Sequence, residues 1–246
     1  MSSESPVVAL FRPDDARMDK TVRRIRDHGG SPLRDPMLAI IPTGTLPPSG
    51  APMTVFTSRT GVEIAAAAGW TPAATRVVAV GEPTADAAAA VGWPRPMTPD
   101  RFDSRGLAEL IIDSAPPRVV IARSDHGSSV LPDALSAAGV PHEEVILYRL
   151  ERPPDAGDSV HATAAGDVDA LAFTSSLTVS HFFEIADEAD EYDTILASLP
   201  EITVGAIGDP TTQALREHAI DPDCIPSEAT ADALIDEIFD HLTRHR

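Results

Sequence analysis

The sequence predicts an α/β protein: two related wound parallel-sheet domains, one inserted in the other, joined by a two-stranded β-ladder hinge. Three observations carry that expectation. Short apolar runs alternate with helical patterns along the chain, as in parallel sheets covered by helices on both faces. One strand–turn–helix corner occurs twice, as AVGEPTADAA at 79–88 and AIGDPTTQAL at 206–215. The repeated units also follow an order that an insertion explains.

Along the chain, VVALFRPDDARMDKTVRRIRDHGG (7–30) reads as a β-branched strand ending in Arg, a polar loop and a helix closed by Gly. SPLRDPMLAII (31–41) is extended in pattern, and PTGTLPPSGAP (42–52) is too rich in Pro and Gly for regular structure. MTVFTSRTGVEIAAAAG (53–69) is a strand ending in Phe-Thr-Ser followed by a helix. VVAVGEPTADAAAAVGW (77–93) is the first repeated corner, and MTPDRFDSRGLAELIID (97–113) a short strand with a capped amphipathic helix. RVVIARSDHGSSVLPDALSAAG (118–139) has the pattern of the N-terminal unit, and EEVILYRLERP (143–153) is again extended. DAGDSVHATAAGD (155–167) and DEADEYDTILASLPE (187–201) read as polar, acidic surface segments, the second partly helical. ALAFTSSLTVSHFFEIA (170–186), TVGAIGDPTTQALREHAI (203–220) and CIPSEATADALIDEIFD (224–240) then repeat the three units of 53–113 in the same order.

Nothing after Asp240 matches 118–139, whose counterpart stands at the opposite end, in 7–30. The N-terminal unit must therefore complete a domain built mainly from the C-terminal third. The expected boundaries are a discontinuous domain of 1–34 plus 153–246, an inserted domain of 48–142, and connecting strands 35–47 and 143–152 lying side by side.

Composition narrows the function. The 246 residues carry a formal net charge of −19, with one lysine, Lys20, against eighteen arginines. Nucleic acid and anionic membrane both need a basic face, so neither is an expected partner. The acidic balance looks like adaptation to a very salty cytoplasm, where a Debye length of about 3 Å screens self-repulsion. An acidic protein of an ordinary cytoplasm is the alternative. The first residues show no basic segment leading into a long apolar run, and no run reaches membrane-span length, so a cytoplasmic protein is expected. Cys224 is alone and reads as a buried, inert thiol.

The familiar catalytic motifs are missing: no Gly-x-Gly-x-x-Gly after a strand, no Walker-type phosphate loop, no Gly-x-Ser-x-Gly elbow. The eight histidines are scattered, and His241 with His245 reads as the end of a terminal helix rather than a metal pair. SDHG (124–127) places acid and imidazole together on a loop, where a turn capping the next helix is the simpler role. What the sequence does offer is small hydroxylic and Gly residues where strands lead into helices: Thr57, Ser58, Gly81, Thr84, Thr174, Ser175, Ser176, Gly208, Thr211 and Thr212. Ligands of wound sheets sit at those carboxyl ends. Gly allows close backbone approach, and the helix N-terminus presents free N–H groups to an anion. Each corner alone reads equally well as an ordinary helix cap; two facing rows would define one cleft.

The paired Phe-Thr-Ser strands, the paired Gly-x-x-Thr corners, VVIAR, VILYRLERP and the inserted-domain order together resemble the uroporphyrinogen-III synthase family over nearly the whole chain. The resemblance implies two α/β domains joined by a two-stranded ladder, an active site in the cleft between them, and no cofactor or metal. It implies closure of hydroxymethylbilane, a linear tetrapyrrole with eight carboxylates, through a spiro intermediate that inverts the last pyrrole ring. Tyr148 in VILYRL occupies the position of the family's cleft tyrosine, either a general acid for hydroxyl loss or a residue that packs against a domain. The corner hydroxyls would bind substrate carboxylates. Arg12 and Arg123 end equivalent strands and, with Arg59, either clamp carboxylates or pair with the chain's own acids. The implied protein is a monomer with a small-molecule substrate and transient contact with the preceding enzyme of its pathway. The competing expectation is a two-domain protein that binds a small anion without chemistry.

Overall fold

The computed structural model describes residues 5–245. The first elements are β1 (Val7–Phe11), α1 (Ala16–Asp27), β2 (Ser31–Arg34), β3 (Ala39–Pro42), β4 (Met53–Phe56) and α2 (Arg59–Ala67). Then come β5 (Arg76–Ala79), α3 (Glu82–Ala90), α4 (Ser104–Asp113), β6 (Val119–Ser124), α5 (Val130–Ala137) and β7 (His142–Glu151). The chain continues with α6 (Asp158–Ala165), β8 (Ala170–Phe173), α7 (Ser176–Glu188), α8 (Tyr192–Ser198), β9 (Thr203–Ala206), α9 (Asp209–Glu217) and α10 (Ala231–His245).

The chain divides into two compact units, one holding residues up to Ala39 and from Glu151 onward, the other Ile40–Leu150. The first unit's sheet runs β2-β1-β8-β9, and the second's runs β3-β7-β6-β4-β5. Apart from the β3 edge, neighbouring strands pair in parallel. An isolated parallel bridge extends each sheet by one position, Gly205 to Cys224 in the first unit and Val78 to Met97 in the second. The two orders are thus the same: β2, β1, β8, β9, Cys224 against β7, β6, β4, β5, Met97. Elements that resemble each other in sequence occupy equivalent places in their own sheets.

These strands form because their residues are apolar on both faces, as helix-covered parallel strands require. β4, β8 and β9 are buried throughout their four residues and β6 throughout its six. Alternation sorts their side chains: Val8 and Leu10 of β1 join one core layer, Ala9 and Phe11 the other. Each unit has an aromatic nucleus of its own. Phe11, Phe173 and Phe182 lie with ring centroids 4.6–5.5 Å apart, and Phe56, Trp70 and Trp93 within 5.4 Å.

The structure departs from the expected pattern in α6 and in the connecting strands. The stretch 155–167 is not merely a polar surface run, because it folds into α6 with Ser159, Val160 and Thr163 buried. Its start is held by Asp35, only 2 % exposed, whose carboxylate accepts from Gly157 N–H at 3.2 Å, Ser159 N–H at 2.8 Å and Ser159 Oγ at 2.5 Å. The connecting segments differ too. β3 lies beside β7, but the first half of β7 also pairs with β6, from Val119 opposite His142 onward. The run HEEVILYRLE is long and apolar enough to complete a sheet as well as to lead out of it.

Candidate functional site

In a parallel sheet all strand carboxyl ends share one edge, and the expected site residues of the second unit gather there. β4 ends at Phe56, and Ser58 takes the extended conformation of a helix cap, accepting from Gly61 N–H at 3.0 Å. The Ser58 hydroxyl has a second partner, the Tyr148 hydroxyl at 2.9 Å. These two expected site residues, 90 positions apart, are joined through their side chains.

A slip in the β6–β7 pairing brings Tyr148 there. Arg123 stands opposite Ile146, yet Ser124 stands opposite Tyr148, so Leu147 is an extra residue. Such a bulge re-aims side chains next to it. Consecutive residues Leu147 and Tyr148 accordingly point into the same core layer, which plain alternation forbids. The Tyr148 side chain is mostly sheltered (the residue is 6 % exposed), with its hydroxyl at the half-buried Ser58 corner. Because Ser58 Oγ already accepts from Gly61, its own proton is free to turn toward Tyr148 or outward.

The loop after β6 is fixed to β7 beside the tyrosine. Asp125 N–H donates to the Tyr148 carbonyl at 3.3 Å, and Asp125 Oδ1 accepts from Leu150 N–H at 3.1 Å. The same oxygen lies 2.9 Å from His126 Nδ1. Burial alone would raise the Asp125 carboxyl, but the hydrogen bonds from His126 and Leu150 outweigh it and hold the group below the ordinary carboxylate range. Arg123 braces this loop from beneath. It donates to the Ser128 carbonyl at 3.0 Å and meets Glu144 at 2.8 Å, and Gly127 passes so close that a Cβ there would lie 2.3 Å from its Nε. Its guanidinium is committed within its own unit. Arg59, the exposed first residue of α2, makes no ion pair among the described residues.

Gly81 opens α3 without a side-chain cap, and Thr84 turns inward in the first turn. Thr57 follows β4, its N–H donating to the Ala122 carbonyl at 3.4 Å. Over Gly81 lies Phe102, 58 % exposed, whose Cβ would stand 3.2 Å from a Cβ on Gly81. Phe102 does not stand out in the sequence, since a single aromatic in a Pro/Asp-rich loop carries no periodic signal. The corresponding residue over Gly208 is Ala229.

The first unit presents the equivalent edge. Thr174 Oγ1 donates to the Phe11 carbonyl, tying β8 to the end of β1. Ser175 caps α7, accepting from Thr178 N–H at 3.3 Å, and Ser176 next to it is exposed. Gly208 opens α9 without a side-chain cap, and both Thr211 and Thr212 are buried in its first turn. Thr212 Oγ1 has no hydrogen-bond partner among the described residues. Arg12 follows β1 and donates to Thr21 Oγ1 at 3.0 Å. Ser175 thus lacks the tyrosine partner that Ser58 has, and the edges differ chemically although their topology is shared.

Other expectations resolve away from this edge. Cys224 is buried, and desolvation pushes its thiol up to about 12, so it stays protonated. The side chain of His245 lies outside the described residues. A cavity of about 370 Å³ in the first unit is lined by Ser180, Phe183, Glu184, Asp187, Tyr192 and His218, none of them a corner residue. No helix among the described residues is long and apolar enough to cross a membrane.

The family model described as Uroporphyrinogen-III synthase HemD matches residues 19–238. A protein of Archaeoglobus fulgidus, provisionally named a uroporphyrinogen-III synthase, is 29% identical over 232 residues, covering 93% of this chain and 96% of its own. A crystal structure of a mutant uroporphyrinogen III synthase from Thermus thermophilus matches with a TM-score of 0.70 at 21% identity, covering 98% of this chain and 100% of that one. The uroporphyrinogen-III synthetase of Helicobacter pylori matches at 0.61 and 16%, with 98% and 100% covered. The two structures are likenesses of fold.

Proposed function

We infer that this chain, which belongs to the uroporphyrinogen-III synthase family, cyclises hydroxymethylbilane with inversion of the last ring and loss of water to give uroporphyrinogen III. The observation that carries its chemistry is the Ser58–Tyr148 hydrogen bond of 2.9 Å at the carboxyl edge of the second unit's sheet. Loss of hydroxide from the substrate's hydroxymethyl group is poor, whereas loss of water is easy, so the reaction needs one well-placed proton donor. The Tyr148 phenol, oriented by Ser58, supplies it. The substrate's own electron-rich pyrroles supply the nucleophile. What remains for the protein is to hold the chain so that closure passes through the spiro intermediate rather than directly.

Anion binding falls to the corners. Backbone N–H groups at the starts of α2, α3, α7 and α9, helped by Thr57, Ser58, Gly81, Thr84, Thr174, Ser175, Ser176, Gly208, Thr211 and Thr212, take substrate carboxylates. Arg59 and Arg12 are the cations that join them, and Arg123 serves by bracing its loop. Each contact contributes about 0.3–1 kcal/mol, so the substrate's many carboxylates act together. The enzyme works as a cytoplasmic monomer without cofactor or metal, meeting the preceding pathway enzyme transiently, and its acidic surface suits a salty cytoplasm. Supplying freshly made hydroxymethylbilane and resolving the isomers tests the function. Isomer III is expected to dominate; isomer I alone, at the uncatalysed rate, would leave a non-catalytic anion-binding protein as the better account.

A further inference from the structure

The loop bonded to the Tyr148 main chain carries an acid–base pair that proton donation by the phenol leaves unused. Asp125 is anchored to β7 on both sides of Arg149, through its N–H to the Tyr148 carbonyl and its Oδ1 to Leu150 N–H. That same Oδ1 meets His126 Nδ1 at 2.9 Å. An ionised carboxylate only accepts, so Nδ1 carries the proton in the neutral ring and Nε2 presents its lone pair. The mount is rigid, because Arg123 holds the Ser124 and Ser128 carbonyls and pairs with Glu144 beneath the loop. The imidazole itself is open: the His126 side chain is 48 % exposed against 30 % for Asp125. A carboxylate-oriented imidazole, on a loop bonded to the main chain of the strand that carries the phenol, has the make-up of a general base held at the same sheet edge as the general acid.

We propose that His126 is the base of the cyclisation, its Nε2 taking the proton that leaves the unsubstituted α-carbon of the last pyrrole ring, with Asp125 as its positioning residue. The proposal rests on the synthase reading. The balance closes without any oxidant or co-reactant. Tyr148 gives a proton to the departing hydroxyl, which leaves as water with the C–O pair. The last ring attacks the resulting azafulvene to form the spiro centre, whose older C–C bond then breaks. The freed methylene carbon bonds the ring's α-carbon, and loss of that carbon's proton to Nε2 returns the C–H pair to the pyrrole. The charged group bonded to the imidazole is Asp125, and Arg123, paired with Glu144, bonds the same loop at Ser128.

The test uses substrate deuterated at that α-carbon, with wild type, His126→Gln, His126→Ala and Asp125→Asn. His126→Gln is expected to lower kcat about 100-fold with little change in KM, to raise the isotope effect, and to lose the acidic limb of the pH–rate profile. Added imidazole should restore part of the His126→Ala rate, and Asp125→Asn should lose less than His126→Gln while keeping the acidic limb. A His126→Gln enzyme with wild-type kcat and isotope effect overturns the proposal. So does a loss that imidazole does not rescue and that tracks a lowered melting temperature. If wild type itself made no isomer III, the synthase reading would fall first, and this proposal with it.

Discussion

Tyr148 carries the proposed proton donation, and its setting supports that role. A phenol carries one O–H that it can donate to a departing hydroxyl. Ser58 can orient that donor because its cap bond to Gly61 fixes its oxygen. Tyr148→Phe keeps the ring in its core layer and removes only the hydroxyl, so the fold should survive while kcat falls about 100-fold. A Phe variant at full rate would remove the acid role from Tyr148 and leave the fold and family untouched. Both residues stand out in the sequence, one on a linker strand and one at a strand–helix corner. Their bond does not, since it spans 90 positions and depends on a one-residue slip beside β6. Phe102 was illegible for a different reason: exposure over a glycine is a property of the folded corner, not of any local pattern.

Helices show the same division between local and distant causes. Asp15 and Ser58 cap α1 and α2 from adjacent positions, a signal that sequence carries. α6 has no side-chain cap of its own and is held by Asp35, more than 120 positions away, which is why 155–167 reads as surface. Asp35→Ala should cost about 2–3 kcal/mol, visible as a lower denaturation midpoint; an unchanged midpoint would show that α6 is set by packing alone. α1 and α10 are joined by Asp236, which takes Arg24 at 2.6 Å and His28 at 2.8 Å. The Arg24 hydrogen bond, and then His28, hold the Asp236 carboxyl below its usual range against burial. A depressed carboxyl stabilises the fold above its unfolded pKa, near 4, and stops doing so as pH falls through the folded value. The melting-temperature gap between wild type and Asp236→Asn should therefore be full at pH 6 and shrink on acidification; a gap constant down to pH 2 would contradict the assignment.

Across the whole molecule, the parallel wound sheets were legible because apolar runs and Gly-x-x-Thr corners recur with enough regularity to align. The shift of the N-terminal unit to the far end of the repeat is matched by the shared strand order of the two sheets. What the repeat could not show is how the corners diverge, with Ser58 facing Tyr148 and Ser175 bonded within its own helix turn. The net charge of −19 belongs to this scale as well. Raising KCl from about 0.1 to about 2 M shortens the Debye length and screens self-repulsion, so the melting temperature should rise; a flat or falling response would mean the surface ion pairs outweigh net repulsion. The central claim is that Ser58 and Tyr148 act as one proton-donating unit. A double-mutant cycle of Ser58→Ala and Tyr148→Phe on the rate of isomer III formation tests it most directly. Residues acting as a unit are strongly non-additive, so the double variant should be scarcely slower than Tyr148→Phe alone. Two losses that simply multiply would contradict it.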